Sequence, residues 1–123
     1  MSVIPPTVLK KLYVQGSLHL QEDGFGFALK NVIAPATITN VGGLEIDGKR
    51  VDDSQVTFLP VGGKPRPIEQ ISSERPLQFP VGVVVNLHVS DEALEPGMHH
   101  LTLHVDVKEI GSLDIPVSDR IAG

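Results

Sequence analysis

Apolar and polar residues alternate at period two over most of this chain, which commits it to half-buried strands, because successive side chains of a strand point to opposite faces. Val83, Val85, Leu87 and Val89 alternate with Val84, Asn86 and His88, and Leu101, Leu103, Val105 and Val107 alternate with His100, Thr102, His104 and Asp106. The segments Val81 to Ser90 and Met98 to Lys108 are therefore the clearest core strands. The loop between them ends in Pro96-Gly97 and is expected to return the second strand antiparallel to the first as a hairpin.

The same period continues elsewhere. Leu12, Val14, Leu18 and Leu20 share one face of a first strand, with Tyr13, Gln15, Ser17, His19 and Gln21 opposite. Glu22-Asp23-Gly24 turns it into a second strand with Phe25, Phe27, Leu29 and Ile33 inward, completing a hairpin. A third run, Thr37 to Ile46, ends at Asp47-Gly48, a dipeptide that tolerates positive φ at both central turn positions and so predicts a tight reversal into Lys49-Arg50-Val51. Gln55 to Leu59 is a short strand, and Ile110 to Val117 a last one with Leu113, Ile115 and Val117 inward. Between Lys64 and Pro80 lie Pro65, Pro67, Pro76 and Pro80, and proline's missing N–H restricts this stretch to an edge strand and loops.

No long segment carries apolar residues at helical spacing, and 12 Gly and 10 Pro interrupt the chain throughout. The expected fold is all-β: a two-sheet antiparallel β-sandwich, immunoglobulin-like or jelly-roll, with little or no helix. At 123 residues it reads as a single domain over 1–123, with 1–9 an N-terminal arm and 118–123 a C-terminal tail.

A net charge of -5 argues against a phosphate-binding surface, so no nucleic acid is expected as a partner. The absence of cysteine excludes a disulfide framework and thiolate metal sites. The start MSVIPPTVLKK lacks the pattern of a secretory signal, and no apolar run is long enough for a bilayer. Together these point to a cytoplasmic protein with no membrane partner.

Candidate chemistry is sparse. His99, His100 and His104 invite a metal, but on a strand His100 and His104 stand about 13 Å apart and His99 points the other way. No metal site is expected. Gly24-Phe25-Gly26 and Gly62-Gly63-Lys64-Pro65 lack the strand-to-helix context of a phosphate loop, so no cofactor-binding residue is assigned. The carboxylates fall in solvated turns and no nucleophile elbow is present, so no catalytic residue is assigned either. What remains is surface suited to a protein partner: Tyr13, His19, His88, His100 and His104 on polar sheet faces, and the proline-braced stretch with Arg66, Ile68, Ile71, Arg75, Leu77 and Phe79 exposed. Tyr13, His19, Arg66, Ile68, Arg75, Phe79, His88, His100 and His104 form the expected interface set.

The segments Gly24–Pro35, Leu44–Val51 with Val56-Thr57-Phe58, and Leu94–Leu103 resemble, in order and spacing, the small (beta) subunit of bacterial C-glycoside deglycosidases. The resemblance implies a non-catalytic subunit of a heteromeric carbon-carbon lyase acting on 3-oxo-C-glycosides, flavonoid C-glycosides among them, by β-elimination. It further implies a larger TIM-barrel, sugar-isomerase-like partner that carries a divalent metal, Mn or similar, with no cofactor on this chain. Two readings stand beside it: a stand-alone carbohydrate- or protein-binding sandwich module, and a small cupin-like metalloenzyme using histidines.

Overall fold

The computed structural model describes residues 4–121. Ten strands form two antiparallel sheets: β1 (His19–Gln21), β2 (Gly24–Lys30), β3 (Ala36–Ile46), β4 (Lys49–Arg50), β5 (Val56–Pro60), β6 (Arg66–Pro67), β7 (Leu77–Phe79), β8 (Val84–Ser90), β9 (Gly97–Val107) and β10 (Gly111–Ile121). The first sheet runs β1-β2-β8-β5-β6, the second β10-β9-β3-β4, and β7 also pairs with β3. The all-β sandwich expected from the alternation is what forms.

Its core lies between the sheets. Phe25, Phe27 and Leu29 of β2, Phe58 of β5, and Val85, Leu87 and Val89 of β8 meet Leu44 of β3, Leu101 and Leu103 of β9, and Val117 of β10. Each fully buried side chain of this size contributes about 1.5–3 kcal/mol relative to exposure. The one buried polar residue among those described, Asn31, is fully satisfied.

β3 reaches the core by an irregular route. Its inward residues are Ile38, Val41, Leu44 and Ile46, and strict alternation would turn some of them outward. Register shifts between Ile38 and Asn40 and between Val41 and Gly43 restore them, each adding a residue that has no partner on β9. The Asp47-Gly48 turn forms as its chemistry requires, with φ of 51° and 86°.

Several expectations are corrected. β8 and β9 do not form a hairpin: β8 pairs with β2 and β5, β9 with β3 and β10, and the Asp91–Pro96 loop carries the chain from one sheet to the other. Residues 12–18 are not strand. The chain forms a short helix α1 (Pro6–Leu9) and a 3-10 turn (Lys10–Leu12) before β1 begins, because Pro6 at the first helical position starts a turn that buries Leu9 and Leu12. The arm is thus docked from α1 onward. Leu20, expected inward, is 50% exposed on β1. The expected tail is ordered strand up to Ile121. Residues 1–3 and 122–123, the outer parts of the arm and tail, lie outside the described residues.

Candidate functional site

The expected interface residues separate into three groups. Tyr13 is not a surface group. Its ring packs against Phe27 with centroids 6.3 Å apart, and its hydroxyl donates to Asp119 Oδ2 at 2.6 Å while accepting from the Leu18 N–H at 2.8 Å. Asp119 also accepts from the Gly16 N–H at 2.8 Å, which ties the chain before β1 to the end of β10. Burial, then the Asp119 bond, raises the Tyr13 pKa, and the Tyr13 hydroxyl is the chief reason the Asp119 carboxyl lies below its ordinary value. A phenol beside polar neighbours reads as surface only if residues 12–18 are a strand.

The apolar residues of the proline-rich stretch are also interior. Ile68, Ile71, Leu77 and Phe79 are buried in the common core, so the expected exposure of this loop is corrected. Arg66 turns back on the loop, its guanidinium donating to the Arg75 carbonyl at 2.6 Å and the Pro76 carbonyl at 3.4 Å. Arg75 remains exposed, its backbone N–H donating to Ser72 Oγ at 3.1 Å.

The four remaining histidines occupy the outer faces of opposite sheets. On the first, His19 and His88 flank Gly26 across neighbouring strands. His19 Nδ1–H donates to the Ser17 carbonyl at 2.6 Å, Gln21 Nε2 donates to His19 Nε2 at 3.1 Å, and His88 Nδ1–H donates to Gln21 Oε1. His88 Nε2 lies 3.3 Å from Asp23. Gly26 gives this chain of bonds its floor: a Cβ there would stand 3.0 Å from Gln21 Nε2 and 2.9 Å from the Leu87 carbonyl oxygen.

On the second sheet, His104 of β9 lies between a carboxylate from each neighbouring strand. Its Nδ1 is 2.6 Å from Asp114 of β10 and its Nε2 is 2.6 Å from Glu45 of β3. Only the imidazolium can donate to both, so Asp114 first and Glu45 second raise its pKa. The triad rivets the three longest strands together. His100 Nδ1 lies 2.8 Å from Ser118 Oγ on the same face.

His99, set aside on sequence grounds because it points away from His100, is the most enclosed of the group. Its Nδ1 contacts Asp47 at 2.8 Å and its Nε2 the Glu95 carbonyl at 2.7 Å; the Glu95 contact, then Asp47, raises its pKa. Asp47 also accepts from the His100 N–H at 2.9 Å, and these bonds hold its carboxyl below the ordinary value. A cleft of about 430 Å³ opens beside it, lined by Asp47, Lys49, Arg50, Glu92, Glu95 and His99 among others.

His99 and His104 are spent on carboxylates and a backbone carbonyl. No group of three or more His, Cys, Asp or Glu among the described residues is placed to hold a metal ion. No described helix is long and apolar enough to cross a membrane. The fold and its faces define an antiparallel β-sandwich domain whose charged side chains tie strand to strand.

Residues 8–122 match the family model of the hydroxymethylglutaryl-CoA reductase N-terminal domain, and the chain belongs to that family. No curated protein gives a match. This corrects the resemblance to the C-glycoside deglycosidase small subunit, and with it the lyase activity on C-glycosides. The segments that carried the resemblance include turn positions that the backbone itself demands. Gly24 is required because a Cβ there would sit 1.9 Å from the Val89 carbonyl oxygen, and Asp47-Gly48 because both residues adopt positive φ. Turn chemistry of this kind recurs in unrelated sandwiches and carries no function.

Proposed function

We propose that this chain is an accessory β-sandwich domain of an oxidoreductase of the hydroxymethylglutaryl-CoA reductase kind, contributing an interaction surface while the remainder of the reductase carries the chemistry. The family match over residues 8–122 carries the reading. The site geometry supports it. Hydride transfer to an acyl-CoA needs a proton donor aimed into a space that substrate and cofactor share. Here His104 is closed between Glu45 and Asp114, and His99 between Asp47 and the Glu95 carbonyl, so neither ring offers a free nitrogen to a ligand.

The test is reduction of hydroxymethylglutaryl-CoA, followed by nicotinamide absorbance, with the chain alone, with the catalytic part of the reductase from the same organism alone, and with both. The chain alone is expected to show no turnover and to form a complex with the catalytic part. Turnover by the chain alone, or absence of any complex, would overturn the reading.

A further inference from the structure

Two turns of the same sequence sit at one end of the sandwich. Pro60-Val61-Gly62 follows β5 and Pro80-Val81-Gly82 follows β7, closed by Gly63 N–H to Pro60 O at 3.0 Å and Val83 N–H to Pro80 O at 3.2 Å. In each the glycine has positive φ, 77° and 87°, and the valine stands at the apex. Such turns ask for glycine at the third position and favour proline near the start, but nothing in their geometry asks for an apolar apex. Val61 is nevertheless 69% exposed and Val81 52% exposed, and Val32, in the neighbouring loop after β2, is 48% exposed.

One residue joins two of these loops. Asn31 donates through Nδ2 to the Ala34 carbonyl at 2.7 Å and the Phe79 carbonyl at 2.6 Å, and its Oδ1 accepts from the Ile33 N–H at 3.0 Å. Its backbone bonds Val83 O and Gly82 N–H. The register places the third turn beside them, since β5 ends at Pro60 opposite Val85 while β2 ends at Lys30 opposite Val84. The patch is rigid as well as apolar, and a preorganised surface loses little conformational entropy on docking. The inter-sheet cavity near it, lined by Ile33, Ala34 and Ile110 among others, measures only about 30 Å³. That is room for roughly one water, and none of Val32, Val61 and Val81 lines it.

Charge narrows the occupant. Lys30, Lys64 and Lys108 are exposed at this end. Glu109, the carboxylate next to Lys108, is bound to the Thr37 N–H at 2.9 Å and hydroxyl at 2.8 Å. An apolar centre with a cationic rim is complementary to an apolar depression with a carboxylate rim. We infer that the Pro-Val-Gly end, with Val32, Val61 and Val81 at its centre, docks onto an acidic-rimmed apolar surface of the remainder of the reductase. The inference rests on the accessory-domain reading above and names the surface that reading needs.

The experiment is calorimetric titration of the full chain against the catalytic part of the reductase at low and high salt, using wild type, Val61→Asp, Val81→Asp and Leu20→Asp. Leu20 is as exposed as Val81 but lies at the other end, on β1. The two valine variants are expected to weaken binding about tenfold or more with unchanged circular dichroism, Leu20→Asp to bind like wild type, and salt to weaken the wild type. If wild type binds and the valine variants bind equally well, the docking end is wrong and the accessory-domain reading stands. If wild type does not bind, the accessory-domain reading fails first. Sedimentation of the free chain and of its mixtures with phosphatidylcholine–phosphatidylglycerol vesicles supplies the remaining arms. A dimer, or vesicle binding, that Val61→Asp abolishes would overturn the inference in favour of a second copy or a lipid surface.

Discussion

At one end of the sandwich the turns at 22–23, 47–48, 52–53 and 91–95 are rich in carboxylates and are tied by titratable side chains; at the other, the loops after β2 and β7 are tied by the single uncharged amide of Asn31, and the turn after β5 lies beside them. His99 links the 91–95 loop to the β3–β4 turn through Asp47, and Asp52 caps a 3-10 turn by accepting from the Ser54 N–H at 2.9 Å. The acidic end therefore has a stability set by pH, while the apolar end has one set by burial. A surface meant to lose its water benefits from the second arrangement, since a buried charge left unpaired on docking is costly and a satisfied amide is not.

The comparison breaks most sharply at Asn31, which is 2% exposed. Asn31→Ala leaves the Ala34 and Phe79 carbonyls and the Ile33 N–H without their partner, and should cost about 3 kcal/mol, read as a fall in the urea midpoint at unchanged slope. Asp47→Ala at the acidic end removes the bonds to His99 and the His100 N–H. With a half-exposed side chain and solvent screening, it should cost about 1 kcal/mol by the same measurement.

A smaller effect sharpens the contrast in pH. His99 and His104 both have folded pKa values above 6.5, so their stabilisation is full below 6.5 and is lost as pH rises through the raised values. Asp47, whose pKa lies below 3.8, acts the other way: its stabilisation is present above 3.8 and is lost as pH falls through the lowered value. Thermal melts from about pH 6 to about pH 9 should show falling stability in wild type and a flatter profile in His99→Gln, with Asn31→Ala parallel to wild type. The smallest expected effect is that of Val61→Asp on stability, within about 0.5 kcal/mol, because the apex side chain touches solvent in the free domain. A large loss there would mean that the Pro-Val-Gly apex serves the fold rather than a partner.

Much of the fold is legible in the chain. The alternation over 83–89 and 101–107 and the turn chemistry at 47–48 predict strands and a reversal that form as expected, since both depend on neighbours a few residues away. The outer residues of β9, His100 and His104, are likewise legible as surface. The candidate site is not, because what each histidine does depends on the strand beside it. The pKa of His104 is raised by Asp114, ten residues on, and by Glu45 on a different strand. The Pro-Val-Gly sequence at 60–62 and 80–82 is a signal open to inspection, yet only the pairing of β5 and β2 with β8 brings the two turns to one end.

Residue order by itself determined the strand class, the dry faces of β8, β9 and β10 and the Asp47-Gly48 reversal, because backbone sterics and side-chain period act locally. Tertiary structure alone decided that β8 and β9 part into different sheets, that two bulges return Ile38, Val41, Leu44 and Ile46 to the core, and that Tyr13, Ile68 and Phe79 are interior. Each of those outcomes is set by which strand lies alongside, and a sandwich chooses its neighbours by burying the whole core at once.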